Sequence, residues 1–233
     1  MMPRFARAVA VGAAHHTIHI TQRGVDRQRV FLTDSDRRTY LDCLATHASE
    51  ARLRILAYCL MGNHIHLVAV PEEPRSLAVA LRRTHSRYAT YFNARRGRVG
   101  HLWQNRFHSC ALDERHLWAA LGYVERNPVR ANLVVRPEEY EWSSAAAHLG
   151  LRTPAALLDM EFARAAGGSE RWVGLLAEPD ELLVIRALQR GTFTGRPVGD
   201  DSFVADLERQ LGRPLAPRPG FRSDLLTRAA TAG

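Results

Sequence analysis

Two short runs limit what this chain can fold into. Residues 53–60 (LRILAYCL) and 64–70 (HIHLVAV) are apolar and partly β-branched, and only Met61-Gly62-Asn63 separates them. So short a connection reverses the chain, and the two runs predict an antiparallel hairpin. A hairpin alone is marginal in water and needs more strands and a covering layer. The flanking sequence offers both. His15–Gln22 (HHTIHITQ) alternates and predicts a strand that Arg23-Gly24 ends. Thr33 or Asp34 can cap a helix to about Glu50, with Tyr40, Leu41, Leu44 and Ala48 on one face. Pro71 and Pro74 close the hairpin's second strand, and Ser76 can cap a long helix to about Arg95. Arg106–Leu112 predicts a fourth strand; Asp113 can cap a helix from His116 to about Arg126, which Pro128 should end. The order βαββαβ plus a helix predicts the α+β class: a ferredoxin-like antiparallel sheet with helices on one face. That arrangement hosts many activities and names none.

Beyond Trp142-Ser143-Ser144 the character changes. Thr153–Arg190 reads as helical pieces broken at Gly167-Gly168 and Pro179, followed by an amphipathic segment Phe203–Leu211 and a loosely ordered tail with Pro214, Pro217 and Pro219. A boundary near Leu149–Arg152 divides the chain into a first domain, 1–150, and a C-terminal helical extension, 151–233. Charge divides at the same place. Residues 1–150 hold 21 Arg against 13 acidic residues, and 151–233 hold 11 against 11, so the whole net charge of +8 sits in the first part. A basic domain gathers a phosphate backbone by steering and counterion release. All 32 basic residues are arginine; coding bias explains that as readily as phosphate binding does. No run approaches the ~18 apolar residues that span a bilayer, so no membrane partner is expected. Met1–Ala14 lacks the long apolar centre of a signal peptide, which predicts a cytoplasmic protein. Cys43, Cys59 and Cys110 form no CxxC pair, arguing against a disulfide framework or a zinc ribbon.

The chemistry-bearing residues form two groups. His64 and His66 alternate on a predicted strand, so both imidazoles leave one face and can grip a divalent cation together. Alone, a His-x-His pair is as readily two half-exposed strand residues. Tyr123 and Asn127 are four apart on a predicted helix and therefore share a face. Packed across the sheet, that helix would bring a phenol and an amide oxygen to the histidines. Two imidazoles and an amide, with no thiolate, suit Mg²⁺ or Mn²⁺ bound with a phosphate. Asn127 also has a plainer reading, a helix end before Pro128. A free tyrosine has a pKa near 10, so a phenolate at neutral pH costs about 4 kcal/mol, small against a catalytic gain of roughly 8 kcal/mol or more. A tyrosine nucleophile stores the phosphodiester's energy in a covalent link for later rejoining.

Five stretches together resemble a known family. They are Thr21-Gln22-Arg23-Gly24, Tyr58 to Leu67 (YCLMGNHIHL), Trp103-Gln104-Asn105-Arg106, Tyr123 to Ala131 (YVERNPVRA) and Tyr140-Glu141-Trp142-Ser143-Ser144. In this order, over roughly residues 15–145, they are similar to the REP-associated tyrosine transposases, relatives of the IS200/IS605 transposases. Residues 185–220 resemble the tail of some members more loosely. The resemblance implies a ferredoxin-like HUH endonuclease that cuts single-stranded DNA at imperfect palindromic hairpins. It implies Tyr123 as the nucleophile that takes the 5′ phosphate and leaves a 3′ hydroxyl. His64 and His66 match the metal-binding pair, and Asn127 the third, helix-borne ligand.

Other residues carry two readings each. Trp103 is a base-stacking platform or a cover for the sheet edge, with Arg106 beside it. Arg23, Gly24 and Arg27, with Arg29, contact phosphates or form a solvated loop. Arg82, Arg83 and Arg87 touch DNA or form a wet helix face. His19 is expected to be packed or exposed more than catalytic, and Tyr88 and Tyr91 to be core or surface residues. The expected partner is single-stranded or hairpin DNA, met by a monomer or homodimer. The alternative is a domesticated hairpin-binding protein without turnover. An RNA-binding sheet is disfavoured because Tyr58 is the only aromatic on the two central predicted strands.

Overall fold

Strands β1 (Thr17–Arg23), β2 (Leu53–Leu60), β3 (His64–Pro71) and β4 (His108–Leu112) pair antiparallel in the spatial order β2-β3-β1-β4. That is the order of a split βαβ unit, with the first and third strands central; Tyr58, expected on a central strand, lies on the edge strand β2. The structure is a computed structural model and describes residues 14–215. Residues 1–13 and the tail with Pro217 and Pro219 lie outside the described residues.

Strand alternation sorts side chains into two cores. Ile18, Ile20, Ile55, Tyr58, Leu60, Ile65, Leu67, Ala69 and Ala111 face one way. Helices α1 (Asp34–Glu50) and α2 (Ser76–Ala94) cover that face, through Tyr40 and Leu44 on α1 and Leu77, Leu81, Tyr88 and Phe92 on α2. Ala57, Cys59, Val68, Cys110 and Leu112 face the other way. Helix α3 (Glu114–Glu125) covers them with Leu117, Ala120, Leu121 and Val124. The two helices inside the split βαβ unit thus share one face, as expected, while the helix after it takes the opposite one. That face becomes a second buried layer.

Local chemistry sets the helix starts. Thr33 forms a capping box with Asp36 at the head of α1, and Asp113 accepts from the His116 amide at the head of α3. Ser76 is already inside α2, whose N-cap is Arg75; the Ser76 hydroxyl accepts from the Glu73 amide at 3.0 Å. Helix α3 stops before Arg126, and a short turn α4 (Asn127–Arg130) restarts with Pro128 in its first turn.

The C-terminal segment folds as α5 (Ala145–His148), α6 (Met160–Ala165), α7 (Gly168–Ala177), α8 (Leu182–Thr194) and α9 (Asp201–Leu211). Gly167 and Gly168 break α6 from α7 with φ of 112° and 60°. The compositional boundary near Leu149–Arg152 is not a gap in packing. Trp172 of α7, Ile185 and Leu188 of α8, and Val198 lie in the same core as Cys59, Val68 and Val124. Helix α8 lies close to β4 because Gly191 has no side chain; a Cβ there would sit 2.2 Å from Val198 Cγ2 and 3.6 Å from Cys110 Cβ. The same segment seals both sheet edges. The Val198 amide donates to Ala111 O at 2.8 Å beside β4, and Leu60 N to Trp142 O (2.8 Å) and Asp159 N to Ile55 O (2.8 Å) tie other segments along β2.

Candidate active site

His64 and His66 leave the α3 face of β3, with ring centroids 5.0 Å apart. Register puts Arg23 opposite His64 and Thr21 opposite His66 on the neighbouring strand β1. Two residues before Thr21, His19 projects from the same face, and its Nε2 lies 3.2 Å from His66 Nδ1. The Tyr123 ring stands edge-on to both, with centroids 5.6 Å from His66 and 5.7 Å from His19. Helix α3 therefore sets the phenol against His66 of β3 and His19 of β1; among the described residues no ring contact joins it to His64.

Burial keeps the imidazoles neutral. Loss of water is the first cause for each ring: it drives His64 and His19 down to about 4 and His66 well below its ordinary 6.5. Arg23 adds to the effect at His64, Arg130 at His19, and both act on His66 along with the neighbouring rings. Neutral imidazoles have a lone pair to offer a metal. For His64 the free nitrogen is defined. Asn63 Nδ2 donates to Arg27 O at 3.1 Å, so Asn63 Oδ1 faces His64 Nδ1 at 2.6 Å and must accept its proton. Nε2 is left bare, the usual outer-shell arrangement of a metal-binding histidine.

Asn127 is 9% exposed at the head of α4. Its carbonyl accepts from Ala131 N at 3.0 Å, while its side-chain amide takes no hydrogen bond among the described residues. Two neutral imidazoles and a spare amide oxygen fit a hard divalent cation that also binds phosphate oxygens. Among the described residues no three His, Cys, Asp or Glu side chains are grouped to hold a metal without such help.

Groups absent from the sequence expectation close around Tyr123. The Arg130 guanidinium lies 4.1 Å from the Tyr123 ring centroid and also hydrogen-bonds the Tyr123 carbonyl. Asp180, between α7 and α8, holds Arg130 and Arg126 in place. Gln189 of α8 donates to the Tyr123 hydroxyl at 3.4 Å. His19 was legible in principle: strand alternation and the central pairing of β1 with β3 put it on the face of His66. Arg130 was legible in principle, seven residues after Tyr123 on the next helical turn; Asp180 and Gln189 carried no periodic signal, because tertiary packing alone places them.

The other candidates fall in two places. Arg23, Arg27 and Arg106 are exposed. Arg23 stands beside His64, and Arg27 belongs to the left-handed turn whose carbonyl holds Asn63. Gly24 acts through its backbone: its amide donates to Asn63 O at 2.9 Å, and a Cβ would meet Gln28 O at 2.5 Å. Arg82, Arg83 and Arg87 are exposed on α2, across the sheet from the histidines, with Arg83 paired to Glu50 at 2.9 Å. Trp103 packs on that same far face. Its indole donates to His85 O at 3.1 Å, and its ring leans on His85, Tyr40 and Tyr88. Tyr88 is buried and donates to Val30 O at 2.6 Å, as a core residue does.

Residues 13–127 match the family model described as "Transposase IS200 like". Among solved structures, the chain is similar to a REP-associated tyrosine transposase bound to a REP hairpin, with a TM-score of 0.51 and 19% identity over 60% of this chain and 83% of that one. At that identity the likeness establishes the fold. No curated protein matches the sequence significantly. Among the described residues, no helix is long and apolar enough to cross a membrane.

Proposed function

We propose, from the match of residues 13–127 to the IS200-like transposase model, that the chain is a single-strand DNA endonuclease and strand transferase with Tyr123 as its nucleophile. The carrying observation is the Tyr123 ring set against His66 and His19, at 5.6 and 5.7 Å, on the sheet face that also bears His64. The substrate is DNA that folds into a hairpin, by analogy with the hairpin bound to the similar structure.

In this reading the Tyr123 oxygen attacks the scissile phosphorus as the bond to the 3′ oxygen breaks. A 5′-phosphotyrosine forms, and the proton lost by the phenol is balanced by one taken up at the departing 3′ oxygen. Arg130 sits over the ring and favours negative charge developing on it, and Gln189 steadies the hydroxyl. A divalent cation, Mg²⁺ or Mn²⁺, held by His64, His66 and Asn127 would add charge stabilisation at the phosphate. Arg23 and Arg106, exposed near this end of the sheet, supply positive charge for the backbone of the strand.

The test is incubation of the protein with end-labelled single-stranded hairpins and Mg²⁺, followed by denaturing electrophoresis. Wild type should give a protein–DNA adduct, and Tyr123→Phe should give none while shifting the same hairpin in a native gel. An adduct that persists in Tyr123→Phe reassigns the nucleophile. Hairpin binding by wild type with no adduct in any divalent cation favours the binding-only alternative.

A further inference from the structure

Helix α8 lies beyond the matched segment, yet it ends a hydrogen-bond chain that starts at a proposed metal ligand. We propose that Thr192 and His19 are positioning residues that hold His66 as its Nδ1–H tautomer, keeping Nε2 free to bind a cation. The inference rests on the proposed role of His66, and the proton assignment on hydrogen bonds between rings buried away from water.

With both buried rings neutral, each link has one possible direction. The Thr192 hydroxyl is 2.7 Å from Leu188 O, which can only accept, so the single hydroxyl proton goes there. His19 Nδ1 lies 2.7 Å from the same oxygen and must donate to it. Cys110 Sγ, at 3.2 Å, must likewise donate. One donated and two accepted bonds exhaust a hydroxyl, so Thr192 has no second arrangement. With its proton on Nδ1, a neutral His19 presents a bare Nε2. That nitrogen is 3.2 Å from His66 Nδ1, and two facing ring nitrogens bond only when one carries hydrogen. His66 Nδ1 therefore donates, and Nε2 of the neutral ring is bare.

The chain is built into the fold. His19 is 2% exposed, His66 6% and Thr192 3%, so water does not compete for these bonds. Gly191, next to Thr192, allows the approach of α8 to Cys110 and Val198. Without the Thr192 oxygen, His19 Nδ1–H would be buried unpaired. Moving that proton to Nε2 relieves the cost and makes His19 the donor, which drives the His66 proton onto its metal-binding nitrogen.

The experiment uses full-length, metal-free protein with ¹⁵N-labelled histidine rings. Long-range ¹H–¹⁵N correlation spectra distinguish protonated from bare ring nitrogens. Wild type and Thr192→Ser should show His66 with Nδ1 protonated and Nε2 bare. Thr192→Val, matched in shape but lacking the hydroxyl, should reverse the pattern. Mn²⁺ titration followed by EPR should show affinity weakened by roughly 10- to 100-fold in Thr192→Val and restored in Thr192→Ser. If Thr192→Val does not fold, His19→Phe removes the acceptor for His66 and should erode the same tautomer. A wild-type His66 protonated on Nε2, or a tautomer unmoved in Thr192→Val or His19→Phe, overturns the proposal. A correct tautomer in a protein that binds no Mn²⁺ leaves the proton chain standing and refutes the metal role.

Discussion

Lowering the pH from about 7.5 to about 5.5 acts together on three buried histidines and the half-buried His64. Burial pushes His19 and His64 to about 4, His85 to about 3, and His66 well below the ordinary 6.5. All four rings are neutral in the folded chain and take up protons on unfolding once the pH falls below about 6.5. A depressed folded value means stability that is fully present above about 6.5 and is lost as pH falls toward about 4. At pH 5.5 the unfolded rings are roughly nine-tenths protonated and the folded rings almost wholly neutral. Integrating proton uptake over the interval gives about 1.3 kcal/mol for each of His19, His64 and His85, or about 4 kcal/mol together, and His66 adds in the same direction. That is comparable to the whole stability of a typical domain, about 5–15 kcal/mol. Asp36, Asp159 and Asp200 are held below the ordinary carboxylate value and act only at lower pH. Urea unfolding in EDTA, followed by tryptophan fluorescence at several pH values, measures the loss directly. His85, across the sheet from the site, offers a control: His85→Asn should cut the pH-dependent loss by about 1.3 kcal/mol, whatever it does to absolute stability. Equal unfolding free energies at pH 7.5 and 5.5 would refute the reasoning.

Further outcomes are expected at the site and its supports. Glu125 is fully buried and accepts from Ser144 Oγ, from His148 Nδ1 at 2.6 Å and from Trp172 Nε1 at 3.1 Å. Glu125→Ala should destabilise by about 3–5 kcal/mol in urea melts; a loss under about 1 kcal/mol would show that the cluster does not anchor α3. His64→Ala should weaken cleavage and divalent-cation dependence together, and full activity of wild type in EDTA would remove the metal from the mechanism. Gln189→Ala loses one long hydrogen bond to the nucleophile, worth about 0.5–1.5 kcal/mol, so adduct formation should slow by up to about tenfold with hairpin binding unchanged. A fragment ending at Leu149 should fail to fold by circular dichroism. It lacks Trp172, Ile185, Leu188 and Val198, each worth about 1.5–3 kcal/mol of burial.

The elements were largely legible because their signals are local. The alternation in HHTIHITQ and HIHLVAV marks β1 and β3, and Thr33 and Asp113 mark two helix starts. The pairing of His64 and His66 on one face follows from the strand period alone. Two things were not local. A fourth strand is expected from Arg106, but the strand begins only at His108, after Asn105 takes a φ of 104°. The independence of the C-terminal part was inferred from composition and charge, which report solubility and partners rather than packing. Gln189 and Thr192 reach the site only because α3, α7 and α8 share one core, and no window of sequence encodes that meeting. Trp103 shows the converse: its neighbours are polar and basic, yet its ring is committed to the far layer.

A four-stranded sheet ordinarily ends in two rows of unpaired amides and carbonyls that can recruit a fifth strand. Here Val198 bonds along β4, and Trp142, Ser144 and Asp159 bond along β2. Self-association by strand addition is thereby closed off unless one of these guards is first peeled away. Contact between copies is then left to helices and loops among the described residues.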